Sequence, residues 1–124
     1  MSEARSWMRR AEDSLDAAAL LLEQGYVVDG IGCCYAAVMA GVRGALADSQ
    51  PQGDKESLEA FRSLRADVLG VSPSARRFPA IMSELHHQVV DVLWSPEPEI
   101  AARCLEDSRE FVSELGAKVE EPAP

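Results

Sequence analysis

At 124 residues, with 47% hydrophobic and 27% charged residues, the chain is sized for one globular domain and has the composition of neither a disordered nor a membrane protein. Its formal charge of −9 repels phosphate on average, which argues against non-specific nucleic-acid binding and leaves room only for a focused basic site. The first residues are polar and no apolar run reaches the ~18 residues of a membrane span, so neither a signal peptide nor an anchor is expected, and the cytoplasm is the expected compartment.

From Trp7 the apolar residues Trp7, Ala11, Leu15, Ala18 and Leu22 recur at steps of three and four, which places them on one helical face. The first helix is expected to end near Gln24, with Gly25 as its stop and residues 26–30 as the turn that follows. Residues 31–46 are apolar nearly all round and rich in glycine and alanine, so they predict a central helix that its neighbours approach closely. Residues 48–54, with Pro51 and Gly53, predict a loop.

Leu58, Phe61, Leu64 and Val68 mark a shorter third helix, with Asp54 as its cap and Gly70 as its stop. A fourth follows residues 72–74 and carries a face of Phe78, Ile81, Met82, Leu85, Val89 and Val92. Pro79 is tolerable there because it is expected near the first turn. The stretch Ser95, Pro96, Glu97, Pro98, Glu99 predicts a helix start, and Ile100, Cys104, Phe111, Leu115 and Val119 keep the helical period after it. No strand-like alternation and no long repeat is present. The expected fold is all-α: an up-and-down bundle of four or five helices over residues 1–118, with a frayed tail at 119–124.

The three cysteines, Cys33, Cys34 and Cys104, make no paired disulfide framework, and neighbouring cysteines rarely bridge each other, so all three are expected to stay reduced. With His86 and His87 they show neither the CxxC nor the HxxxH spacing of a zinc site, and no metal or other cofactor is expected. The two histidines point about 100° apart on a helix, so one can face the core while the other faces solvent. His87 has Asp91 one turn later, a spacing at which an imidazole and a carboxylate can pair.

Arg9, Arg10, Arg43, Arg62, Arg65, Arg76 and Arg77 would form a phosphate-binding strip if they converged. Asp13 after Arg9 and Arg10, and Glu59 before Arg62, instead suggest surface ion pairs. Trp7, Trp94, Tyr26 and Tyr35 are scattered, as core or interface residues are, and are not interleaved with basic residues. A buried Tyr35 needs a hydrogen-bond partner, and Asp91 on the fourth helix is a candidate. The surplus apolar surface of the second helix suggests a two-fold homodimer centred on it or on the first helix.

The stretch from Arg10 to Gly25 and Tyr26, followed by Cys34-Tyr35-Ala36-Ala37 and then Arg43-Gly44-Ala45-Leu46, resembles the start of the HEPN (higher eukaryotes and prokaryotes nucleotide-binding) domains. Those domains have an amphipathic first helix ending in Gly-Tyr, then a Tyr-Tyr-Ala core and a later Arg-Ala-Leu-Leu. Leu85-His86-His87-Gln88-Val89-Val90-Asp91 is similar to the family's helix ending in Arg-x-x-Ala-Asp-Tyr, and residues 101–112 to its last helix. The resemblance covers about residues 5–118.

Many HEPN ribonucleases carry an arginine followed four to six residues later by a histidine. Here the nearest arginine, Arg77, precedes His86 by nine residues, so that motif is absent. Gly32 stands where an arginine often precedes the tyrosine pair, Cys34 replaces the first tyrosine, and His87 occupies the place of the arginine before Val90-Asp91-Val92.

The resemblance therefore implies a dimeric, non-catalytic binding protein in a nucleotide- or RNA-linked system, such as a toxin–antitoxin or nucleotidyltransferase pair, with Tyr35 and Arg43 as its ligand- or phosphate-binding residues. Two alternatives stand beside it. One is a divergent ribonuclease using His87 as acid or base, Asp91 to orient it and Arg43 to hold phosphate. The other is an interaction module for an unrelated protein.

Overall fold

The computed structural model describes residues 2–47, 53–64, 70–91 and 95–119. These form five helices, with no strand among the described residues: α1 (Glu3–Glu23), α2 (Val27–Ala45), α3 (Asp54–Ser63), α4 (Pro73–Val90) and α5 (Pro98–Val119). Val68, Val92, Trp94, Arg65 and the tail from residue 120 onward, all of which carry expectations above, lie outside the described residues.

α1 begins four residues before Trp7, because Ser2 caps it by accepting a hydrogen bond from the Arg5 N–H at 3.1 Å. Its inward face is Met8, Ala11, Leu15 and Ala18, all buried, with Trp7 and Leu22 half-buried at the margins. The helix closes on a pair of backbone bonds, Tyr26 N–H to Leu21 O at 2.9 Å and Gly25 N–H to Leu22 O at 3.1 Å. This geometry needs a left-handed residue, and Gly25 supplies it at φ +88°.

The turn is so tight that α2 starts at Val27, four residues earlier than the sequence suggests. Ten of the nineteen residues of α2 are buried, and it contacts every other helix directly. α2 is long and apolar enough to cross a membrane, yet its apolar surface is taken up by its own bundle, as expected of a core helix. Among the described residues, the large apolar side chains exposed at the α1–α2 junction are Leu20, Tyr26 and Val28.

Gly53, not Asp54, occupies the cap of α3, and Ser57 Oγ donates back to its carbonyl at 2.7 Å. α4 is capped by Ser72, whose hydroxyl accepts from the Ala75 N–H at 3.1 Å. Because α4 starts at Pro73, Pro79 lies beyond its first turn, buried inside the helix, and leaves the Ala75 carbonyl without its usual i+4 donor. The buried face of α4 is Ala75, Pro79, Met82 and Val89. Ile81, assigned to that face by its apolar character, sits one 100° step away from Met82 and is 59% exposed. Ile100 likewise is exposed, and α5 turns Ala101, Cys104, Ser108, Phe111, Val112 and Leu115 inward.

The directions of the helices follow from their contacts. Ala4 and Met8 near the start of α1 lie against Gly44 near the end of α2, and Gly41 lies against Phe111 and Leu115 of α5. Glu114 of α5 accepts from the Ser72 N–H at 2.7 Å and from its hydroxyl at 3.2 Å, so α4 begins where α5 ends. α1, α2, α4 and α5 thus form the up-and-down bundle. The short α3 packs across one end, through Phe61 against Phe111 and through a guanidinium bond from Arg76 to the Arg62 carbonyl at 3.1 Å. Arg76 also donates to the Leu64 carbonyl.

Candidate functional site

Tyr35 and Arg43 lie eight residues apart on α2, two helical turns and about 80°. Both reach the same carboxylate. The Tyr35 hydroxyl donates to Asp54 Oδ2 at 3.0 Å and the Arg43 guanidinium approaches Asp54 Oδ1 at 3.5 Å. Asp54 is the first residue of α3, where its charge also suits the positive end of that helix. On its other side Arg43 lies over the Trp7 ring, 5.4 Å from the centroid, and Arg10 lies 4.9 Å from the same centroid.

The opposite wall comes from α4. His86 stacks flat on Tyr35, with centroids 4.1 Å apart and planes 6° from parallel. Earlier on α4, Ser83 and Ala80 line a cleft beside Tyr35. The cleft has a volume of about 300 Å³ and includes Lys55, Arg62, Asp54, Glu59 and Glu84. Three carboxylates therefore stand against two cations at its surface, which gives no net attraction for phosphate.

Burial pushes the Tyr35 phenol up to about 12, and the hydrogen bond to Asp54 and that carboxylate's charge add to the rise, while Ser83 and Arg43 partly oppose it. The folded protein keeps this proton where an unfolded tyrosine, titrating at 10, gives it up. The contribution to stability is thus complete below pH 10 and disappears as pH rises through about 12. Asp54→Asn removes the charge but not the burial, so the Tyr35 titration is expected to move part of the way back toward 10. Phenolate absorbance measures this; equal midpoints in parent and variant would show that Asp54 does not act on the phenol.

Tyr35 therefore finds its partner in Asp54, not in Asp91 as the sequence suggests. Asp91 is instead paired with His87, Nδ1 to Oδ2 at 2.5 Å, an i,i+4 contact with the two side chains 55% and 62% exposed. The expected division of the two histidines holds: His86 packs inward on Tyr35 and His87 faces solvent. Among the described residues no arginine hydrogen-bonds to His87 or Asp91.

The basic residues do not form one strip. Arg10 and Arg43 flank Trp7, Arg62 lines the Tyr35 cleft, and Arg76 secures the end of α3. Arg77 faces a second cleft of about 370 Å³, with Asp107, Glu110 and Glu114 around it. No group of three or more histidine, cysteine or acidic side chains with a metal-binding arrangement occurs among the described residues.

Two members of the site were not identified as such from sequence. Asp54 reads there as a helix cap, and nothing in the chain announces that a residue 19 positions from Tyr35 will meet it. His86 reads as the lesser of two histidines, and only the rotation of α4 shows that it is the one against Tyr35.

No curated protein matches the chain. A family model described as HEPN domain matches residues 4–118, which spans all five helices except the first residue of α1 and the last of α5. With an all-α bundle in the expected helix order and a match over nearly its whole length, the chain belongs to the HEPN domain family.

Proposed function

We propose that this HEPN-domain protein is a non-catalytic, homodimeric binding partner in a nucleotide- or RNA-linked system, of the toxin–antitoxin or nucleotidyltransferase-associated kind, working in the cytoplasm. The observation that carries this reading is the carboxylate of Asp54, which engages both Tyr35 and Arg43, the residues that would otherwise hold a phosphate. One guanidinium nitrogen is shared with this carboxylate at 3.5 Å and the group lies over an indole ring, so a phosphodiester would have to compete with Asp54 for it.

Support for a protein partner comes from the end of the bundle opposite the Ser72–Glu114 contact. Leu20, Tyr26 and Val28 are exposed there, and Val90 and Ile100 belong to the ends of α4 and α5 that point the same way. Apolar residues gathered at one end suit association with another chain, in the first instance a second copy.

The His87–Asp91 pair favours one other reading, a divergent ribonuclease in which His87 moves the proton. Incubation of mixed RNAs with the parent protein and with His87→Ala separates the two. Parent protein that leaves RNA intact supports the binding role; cleavage that His87→Ala abolishes would replace it with the nuclease. Light scattering on the eluting protein is expected to give twice the monomer mass, and co-purification from the native host is expected to bring down a nucleotidyltransferase. A monomer, or a transporter or scaffold as the partner, would contradict the corresponding part of the proposal.

A further inference from the structure

On α4, Ser74, Arg77, Phe78 and Ile81 stand at the i, i+3, i+4, i+7 spacing of one helical stripe, and Asp107, Glu110, Phe111 and Glu114 repeat that spacing on α5. The two stripes wall a cleft of about 370 Å³, toward the lower end of the ~300–1,000 Å³ range of ligand sites. Its floor is apolar. Phe111 is buried, Phe78 is half-buried, and their rings lie 5.6 Å apart. Ile81 stands exposed beside them. At one end Glu114 accepts from both the N–H and the hydroxyl of Ser72, which occupies that carboxylate and leaves Asp107 and Glu110 as the exposed ones. Among the described residues no ion pair links either of them to Arg77 across the cleft or to Arg103 on α5 itself.

An exposed isoleucine or an exposed carboxylate is ordinary on a protein surface. Here they share one cleft with an aromatic floor, and the combination selects its occupant. Three carboxylates against one guanidinium repel phosphate and nucleic acid. A second copy related by a two-fold axis would set acid against acid. An arginine suits both halves of the cleft. Its planar guanidinium forms paired hydrogen bonds with a carboxylate and stacks on an aromatic face, while its aliphatic stem covers apolar surface.

We propose that the α4–α5 cleft docks an arginine-bearing, apolar segment of a partner protein, with Asp107 and Glu110 taking the guanidinium and Phe78 and Ile81 receiving the neighbouring apolar side chain. The cleft lies toward the Ser72–Glu114 end of the bundle, opposite the end at which a second copy is placed above. It therefore requires neither the homodimer nor a nucleotidyltransferase as partner.

The test uses the full chain and a labelled peptide of alternating arginine and leucine, with fluorescence anisotropy as the readout. The arginine peptide is expected to bind, and the same peptide with glutamate in place of arginine is not. Asp107→Asn with Glu110→Gln should weaken binding about fivefold or more, and Ile81→Ser should weaken it by a similar factor through lost apolar contact. Arg77→Gln, which removes the one cation of the cleft, should tighten it. Glu12→Gln with Asp16→Asn takes the same charge from the exposed side of α1 and should change binding by about twofold at most. The substituted side chains are all exposed, and helical circular dichroism checks that each variant is folded. Equal loss in the two charge variants would mean attraction to the overall negative charge of the chain and would overturn the proposal, as would binding of the glutamate peptide or no binding of the arginine peptide. A parent dimer that Ile81→Ser converts to monomer would put a second copy in the cleft and overturn it as well. A monomeric parent that binds the peptide through Asp107 and Glu110 supports the cleft while removing the homodimer, so the two readings fail separately.

Discussion

Phe61→Ala is expected to lower the free energy of unfolding by about 3–5 kcal/mol, the cost of emptying a fully enclosed aromatic site. Phe61 is 0% exposed. It meets Phe111 edge-on at 6.1 Å between centroids, and Phe111 in turn lies 5.6 Å from Phe78. This aromatic run joins α3 to α5 and α4, and such pairs add to the gain from burial alone. α3 has only ten residues, too few to be stable as an isolated helix, so losing its anchor also loosens Asp54 at its start. Urea titration is expected to show a lower midpoint with an unchanged slope, and the Tyr35 phenol should titrate lower as Asp54 leaves it. A midpoint shift worth less than about 1 kcal/mol would mean that neighbouring side chains fill the space.

Gly44→Val is expected to cost about 3 kcal/mol or more, the upper part of the range for overpacking. A Cβ at Gly44 would lie 3.0 Å from Met8 Sδ and 3.3 Å from both the Ala4 carbonyl oxygen and the Trp7 Cβ. The Met8 side chain can adjust, but the Ala4 backbone and the Trp7 Cβ move only if α1 moves. A β-branched residue adds two further carbons at that contact. The control is Gly32→Ala in the same helix. Nothing lies within 4 Å of its would-be Cβ, so alanine should stabilise by about 0.5–1 kcal/mol through helix propensity. The two substitutions should therefore move the thermal midpoint in opposite directions. If both stabilise, α1 and α2 are not held at the spacing described.

Much of the bundle was legible in advance because helix formation is a local matter with a short period. Ala11, Leu15 and Ala18 were identified as the inner face of α1 and are buried. The run of small and apolar residues in α2 pointed to a central helix, and it is one. The errors share a cause. Ile81 and Ile100 were assigned to inner faces by their chemistry and are exposed, because the angular position of a residue depends on which neighbours its helix meets. The apolar pattern puts the starts of α1 and α2 too late, since a serine cap and a left-handed glycine turn begin helices before that pattern does.

The site was less legible than the fold. His87 with Asp91 could be read from spacing alone, because one helical turn brings them together whatever surrounds them. Spacing puts Tyr35 and Arg43 in one helix but does not join them to Asp54, which reaches them across a connection from a second element.

Periodicity, caps and small residues, which act within a few positions of one another, specify the helices and their order, and the quoted motifs carry the likeness to the family. Which charges meet and which histidine stacks on Tyr35 emerge only when the helices pack. Those contacts depend on the rotation of each helix against its neighbours, and that rotation is fixed by how the whole core packs.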